Sequence, residues 1–199
     1  MKSILLFLCL FFLSGSFLLA QNFHAGLIAG LSTTQVAGDQ LSGFNKAGII
    51  AGGFVNGALG EKTGLQMEII FIQKGSRKPP DPDNNEYYVM RLSYIEVPLL
   101  FKWQAAQKFN IELGPSFGTL VFSEEEREWG VYEPIIPFKK FDLSGNIGLS
   151  YSLTEKLTIN SRLTNSMIPI RNLLDGYSFA FFDRGQYNTV LAFTLHYQF

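Results

Sequence analysis

Cysteine is almost absent from the 199-residue sequence. The single copy, Cys9, lies within the first twenty residues. A lipid-anchored chain would carry its cysteine directly after the apolar leader, whereas apolar residues continue well beyond Cys9. Once that leader is removed the chain has no thiol, so no disulfide can hold the fold. The sequence therefore predicts neither a disulfide framework nor a lipoprotein anchor.

Charge is also scarce. Charged residues make up 17% of the sequence, and no run of basic residues stands out. A nucleic-acid partner needs such a basic stretch, so none is expected. The acidic positions Asp81, Asp83 and Glu86 do not have the spacing of a complete calcium loop, and we expect no cofactor and no metal.

Long apolar runs occur only at the start. Residues 1–20 carry one early lysine, an apolar centre and a small residue, Ala20, before the polar pair Gln21 and Asn22. This pattern predicts a secretory signal peptide at 1–20 and a single domain at 21–199. A retained membrane anchor is the alternative, but the helix-breaking 14–16 and the abrupt polar switch favour cleavage.

After the leader, the chain shows alternation of apolar and polar residues and no sustained helical periodicity. Aromatics make up 15% of the sequence and there are 19 glycines, and apolar and polar residues alternate with period two, as in β-strands. No segment after the leader reaches the roughly 18 consecutive apolar residues of a membrane helix. Eight segments of about ten residues, the length of a tilted membrane strand, show the pattern: 23–32, 46–56, 63–74, 94–103, 109–118, 141–151, 157–165 and 188–199.

The links between these segments alternate strictly in length. Short links occur at 57–62, 105–108 and 153–156. The other links are long: roughly 33–45, 75–88, 121–139 and 168–187. Short periplasmic turns at one rim and long external loops at the other are typical of outer-membrane barrels. The sequence therefore predicts an all-β, eight-stranded, antiparallel up-and-down transmembrane β-barrel.

A soluble ligand-binding barrel would show the same alternation with its apolar face inward. Two features favour the membrane. The polar face is rich in glycine, serine and asparagine rather than the Lys and Glu of a solvated surface. Aromatics also stand at strand ends on the apolar face, as in the girdles of membrane barrels: Phe23, Trp103, Phe109, Phe141, Tyr151 and Phe199.

The polar face carries isolated charges of both signs, which we name the lumen charge network: Glu68, Lys74, Glu96, Lys102, Glu112, Asp142 and Arg162. A single buried charge would cost several kcal/mol, so we expect these groups to neutralise each other inside the barrel. Eight strands enclose a space that side chains can fill. A closed lumen is expected, and a narrow solute conduit is the alternative.

The two histidines, His24 and His196, lie on the inward parity near the short-turn rim. We expect them to be lumen residues that hydrogen-bond to nearby strands or water. A lipid-modifying enzyme would need a nucleophile and a base together near the outer rim, so we expect no enzymatic activity.

The segments "YIEVPLLFKW" and "ELGPSFG", at 94–103 and 112–118, resemble the outer-membrane protein beta-barrel domain family, porin-like in name and common in Bacteroidota. The resemblance covers essentially the whole chain after the leader. It implies an eight-stranded barrel in the outer membrane of a Gram-negative bacterium, surrounded by outer-membrane lipid, and it implies no reaction. It also implies that Tyr197 and Phe199 form the signal read by the barrel-assembly machinery.

The external links are the expected contact surfaces. The link 121–139 combines an acidic run with apolar residues that need cover, and 76–88 is expected to form a stiff, exposed tip because of its prolines. The apolar residues of 121–139 either fold over the barrel mouth or bind a partner. We expect a structural or surface-interaction role, in which the links 76–88 and 121–139 contact an external protein or glycan.

Overall fold

The computed structural model describes residues 23–79, 86–172 and 185–199. The predicted signal peptide and parts of two external links lie outside these ranges, so the leader stays a prediction. Within the described part of the chain, no helix is long and apolar enough to cross a membrane.

Ten strands make up the described structure. Eight of them form the wall: β1 (Phe23–Ala37), β2 (Lys46–Ala58), β3 (Thr63–Arg77), β4 (Tyr88–Ala106), β5 (Phe109–Arg127), β7 (Phe141–Ser152), β8 (Leu157–Ser166) and β10 (Gly185–Gln198). The two short strands β6 (Gly130–Tyr132) and β9 (Arg171–Asn172) add to the outer ends of β5 and β10.

The wall closes on itself because the first and last strands pair. Each strand is antiparallel to the next, and β1 pairs with β10 from Gly26 opposite Gln198 to Ala37 opposite Tyr187. Closure leaves the eight-stranded wall without an edge strand, as a barrel in lipid requires. The predicted ring of eight up-and-down strands is confirmed.

Every wall strand except β8 is longer than the ten residues expected from the alternation. Both β4 and β5 have 19 residues, whereas β8 has 10. Within the predicted link 121–139, residues 121–127 and 130–132 are strand, so the expectation of a loop there was wrong. Within 75–88, strand covers 75–77 and 88. Backbone pairing between β4 and β5 continues past the apolar belt, where Arg91 lies opposite Glu124.

Successive residues along a strand point to opposite faces of the wall, and the two faces differ in exposure. Glu68 is 1% exposed and Ile69 is 59% exposed. The exposed face is an apolar belt, and aromatic residues stand at both of its ends. At the short-turn end these are Phe23, Trp103, Tyr151, Tyr197 and Phe199, and at the other end Phe122 and Phe141.

One bulge changes which side chains of β5 face inward. Tyr94 pairs with Leu120, whereas Ser93 pairs with Phe122, so Val121 is an extra residue in β5. Before the bulge the even-numbered residues point inward, and beyond it Glu125 is buried while Glu124 faces out. Both carboxylates lie at the outer rim, and the switch turns Glu125 inward and Glu124 outward.

Candidate functional site

The lumen charge network forms two separate clusters inside the barrel. In the cluster nearer the short-turn rim, both Arg162 amino groups donate to Glu68 at 2.7 Å, and Nη2 also donates to Glu112 at 3.1 Å. Lys102 lies 3.0 Å from Glu112 and donates to Gln66 at 3.0 Å. Two carboxylates thus face two cations, and this cluster is neutral.

The second cluster lies nearer the outer rim. Lys74 is fully buried and contacts both Glu96 and Asp142, the latter at 3.1 Å. Its ammonium also lies 4.9 Å from the centre of the Tyr94 ring, and the Asn188 amide donates to Asp142 at 3.2 Å. This cluster has two carboxylates for one ammonium.

Little space is left between the two clusters. The void bounded by Glu68, Glu96 and Arg162 measures about 20 Å³, which is about the space that one water needs. The opposite side of this void is lined by apolar side chains. They occupy inward-facing positions at which the alternation predicts polar residues, so sequence analysis missed them: Ile28, Ile50, Ile70, Ile72 and Ala192.

The outer mouth is filled by apolar side chains. Each of the following is at most 1% exposed: Val36, Met90, Leu92, Ile170 and Val190. Ile170 belongs to the segment after β8, which folds across the mouth. Its backbone N–H donates to Gln186, and its carbonyl accepts from Lys139. The mouth is thus closed above the charge clusters.

Glu125 holds this closing segment in place. Arg171 donates to both Glu125 oxygens, at 2.7 and 3.0 Å, and to Gln186 at 2.9 Å. The Tyr88 hydroxyl also donates to Glu125. Burial first, and then the hydrogen bond to Glu125, raise the pKa of Tyr88, so the phenol stays protonated. Glu125 was missed by sequence analysis because the bulge at Val121 reverses the parity.

The histidines do not meet. His196 pairs with Ile28 of β1. His24 lies four residues nearer the start of β1, about 13 Å away along the strand, and pairs with Asn56. His196 is buried, shares a 2.9 Å hydrogen bond with Thr194 and lies 5.4 Å from the Phe54 ring. His24 is exposed at the short-turn mouth.

Beyond the membrane, β5 and β6 form a projecting hairpin. Its tip exposes Trp129 by 97% and Val131 by 69%, and Ile135 in the following segment is 84% exposed. The Arg127 guanidinium lies 4.4 Å from the Tyr132 ring centre, which braces the base of the hairpin. The result is an apolar external surface without cover from the described residues.

The last strand ends at the short-turn rim on the lipid side. Tyr197 and Phe199 are 47% and 68% exposed, and their rings meet edge to face at 6.2 Å. The Phe199 N–H donates to the Ala25 carbonyl at 3.0 Å, so the strand is paired to its last residue.

Comparison with protein families adds the decisive observation. The family model of the outer membrane protein beta-barrel domain matches residues 19–172. The chain belongs to this outer-membrane β-barrel family. It is accordingly an outer-membrane protein of a Gram-negative bacterium.

The family match ends before the strand that closes the ring. β10 lies after residue 172, yet it pairs with both β1 and β8. The barrel of this family member is thus complete only with residues beyond the matched part.

Solved structures of other small outer-membrane barrels share the fold. Ail of Yersinia pestis, in complex with the heparin analogue sucrose octasulfate, has a TM-score of 0.53 at 11% identity, covering 89% of this chain and 99% of Ail. Neisserial surface protein A also has a TM-score of 0.53 at 11% identity, covering 89% and 97%. At such identity the likeness concerns the fold. Comparison with curated protein sequences gave no match.

Proposed function

We propose that this outer-membrane barrel has a closed lumen and acts as a non-enzymatic surface protein whose external hairpin contacts a partner protein. The observation that carries the proposal is the combination of a filled interior with an uncovered apolar tip. A solute conduit requires an open interior, and a purely structural barrel does not require an exposed apolar tip.

The filled interior argues against conduction. A solute would have to break the Arg162 contacts with Glu68 and Glu112 and then pass the apolar mouth at Met90 and Leu92. Separating a buried ion pair leaves uncompensated charges, which is costly. General porins avoid this problem by using about sixteen to eighteen strands.

The apolar tip argues for a protein partner. Soluble surfaces rarely expose a large apolar cluster unless it is a contact site, and tryptophan is among the residues most enriched at binding hot spots. Trp129 and Val131 stand on a strand-supported hairpin, which keeps them clear of the bilayer.

A glycan partner is the second candidate. It rests on the likeness to Ail, whose structure holds a heparin analogue. The hairpin itself favours a protein partner, because the exposed carboxylates of Glu128 and Glu133 flank the tip and would repel a sulfated chain.

Planar-bilayer recording tests the closed lumen. The purified, folded barrel should give no steady conductance over a range of voltages, and a sixteen-stranded porin reconstituted in the same way is the positive control. Large, reproducible channels from the unmodified protein would overturn the proposal and favour the solute conduit.

A further inference from the structure

A second concave surface lies on the lipid-facing side of the wall, just beyond the apolar belt. It has a volume of about 450 Å³ and spans the outer ends of β2, β3, β4 and β5. Three cations line it, together with two aromatic residues: Lys46, Arg77, Arg91, Tyr87 and Phe122. This pocket is separate from the lumen and from the hairpin tip.

Gly75 makes the depression possible. Its φ angle of +128° is one that glycine adopts readily and other residues rarely do, and an added Cβ would lie 2.0 Å from the Met90 carbonyl oxygen. Because Gly75 has no side chain, the side chain of Lys46 can cross above it. The Lys46 Cδ lies 3.2 Å from the position that a Cβ on Gly75 would occupy. Lys46 therefore reaches the outer face although it starts on the inward parity.

The cations of the pocket are only partly balanced. Arg91 donates from Nη1 to Glu124 and Glu126, both at 2.7 Å, so its guanidinium is held in place. Within the described ranges, Arg77 has no ion pair, and Lys46 donates only to the Ala47 carbonyl at 3.5 Å. Lys46, Arg77 and Arg91 line the same pocket, and like charges gathered in one place repel each other. An anion between them would relieve that repulsion.

The position of the pocket indicates the source of the anion. Ile95, 40% exposed in the apolar belt, lies two residues from Ser93 along β4, about 7 Å below the pocket. Phe122 bridges the two regions at 49% exposure. A molecule on this surface would place acyl chains on the belt and an anionic group among the cations.

We propose that this pocket binds a phosphate of an outer-leaflet lipid. The phosphate accepts hydrogen bonds from Lys46 and Arg77 and from the Arg91 nitrogens that Glu124 and Glu126 leave free, and the lipid tails lie along Ile95. This binding is independent of the closed lumen and the hairpin tip, so either proposal can fail without the other.

Native mass spectrometry of the folded barrel in uncharged detergent tests the proposal with diphosphorylated lipid A as the probe. The wild type should retain the phosphorylated lipid and not the same lipid without phosphates. Lys46→Gln/Arg77→Gln should retain it at least about tenfold less well, as expected when a charge-assisted hydrogen bond is lost. If the double variant does not fold, Arg77→Gln alone, which changes an exposed side chain, should show the same direction.

The matched control is Lys62→Gln/Lys156→Gln, which removes two exposed cations at the opposite rim and should bind like the wild type. Equal retention of the dephosphorylated lipid would overturn the proposal. Unchanged binding by the pocket variants would also overturn it, and so would competition by inorganic phosphate at the concentration of the lipid, which would indicate a site for free phosphate.

Discussion

Arg162 is the residue on which most of the lumen contacts depend. Its guanidinium joins Glu68 on β3 to Glu112 on β5, and the Asn160 amide also donates to Glu112 at 2.7 Å. We predict that Arg162→Met lowers the free energy of unfolding by about 3–5 kcal/mol, because it leaves buried carboxylates without their cation. Urea unfolding in lipid vesicles, followed by the gel shift between folded and unfolded barrel, measures this loss.

The double variant Arg162→Met/Glu68→Gln is the internal control. It removes one charge of each sign, so Glu112 and Lys102 stay paired, and the loss should be clearly smaller than for Arg162→Met alone. Lys156→Gln, at an exposed turn, should change nothing. If both lumen variants unfolded like the wild type, the network would not contribute to stability.

The last strand, β10, allows a test of the predicted assembly signal. Its end presents Phe199 to lipid and Gln198 to the other face. If the assembly machinery reads the terminal aromatic, Phe199→Asp should reduce the amount of barrel in the outer membrane. Gln198→Asp adds the same charge one residue earlier and should insert normally. Immunoblots of outer-membrane fractions compare the two, and equal levels would argue against the signal.

The β5–β6 hairpin allows a test of orientation that the scarcity of cysteine makes simple. Cys9 is the sole cysteine and lies in the predicted leader, so an introduced thiol is unique in the cleaved chain. We predict that Trp129→Cys on the hairpin reacts with a membrane-impermeant maleimide in intact cells, whereas Glu155→Cys on a short turn reacts only after the cells are opened. The reverse pattern would invert the topology.

For the whole molecule, the arrangement of layers along the barrel axis is the main feature. A neutral charge cluster, a cluster with one excess carboxylate and an apolar layer follow one another from the short-turn rim to the outer mouth. The described residues thus close the lumen at three levels. Substitutions at one level should therefore affect stability more than conductance.

The sequence determined the architecture of this protein. Alternation with period two is a local property of a strand, and turn length is local too, so the number of strands, their direction and the two faces follow from the chain itself. The inward parity of Glu68, Lys74, Glu96, Lys102, Glu112, Asp142 and Arg162 follows in the same way.

Tertiary structure decided which of these groups meet. Arg162 and Glu68 are 94 residues apart, and their contact depends on the stagger of strands around the ring, which no local pattern encodes. The bulge at Val121 turned Glu125 inward, and the glycine conformation at Gly75 let Lys46 reach the outer face. Parity predicts a side chain's direction only while the register is regular, so the closed mouth and the cationic pocket became visible only when the strands were placed side by side.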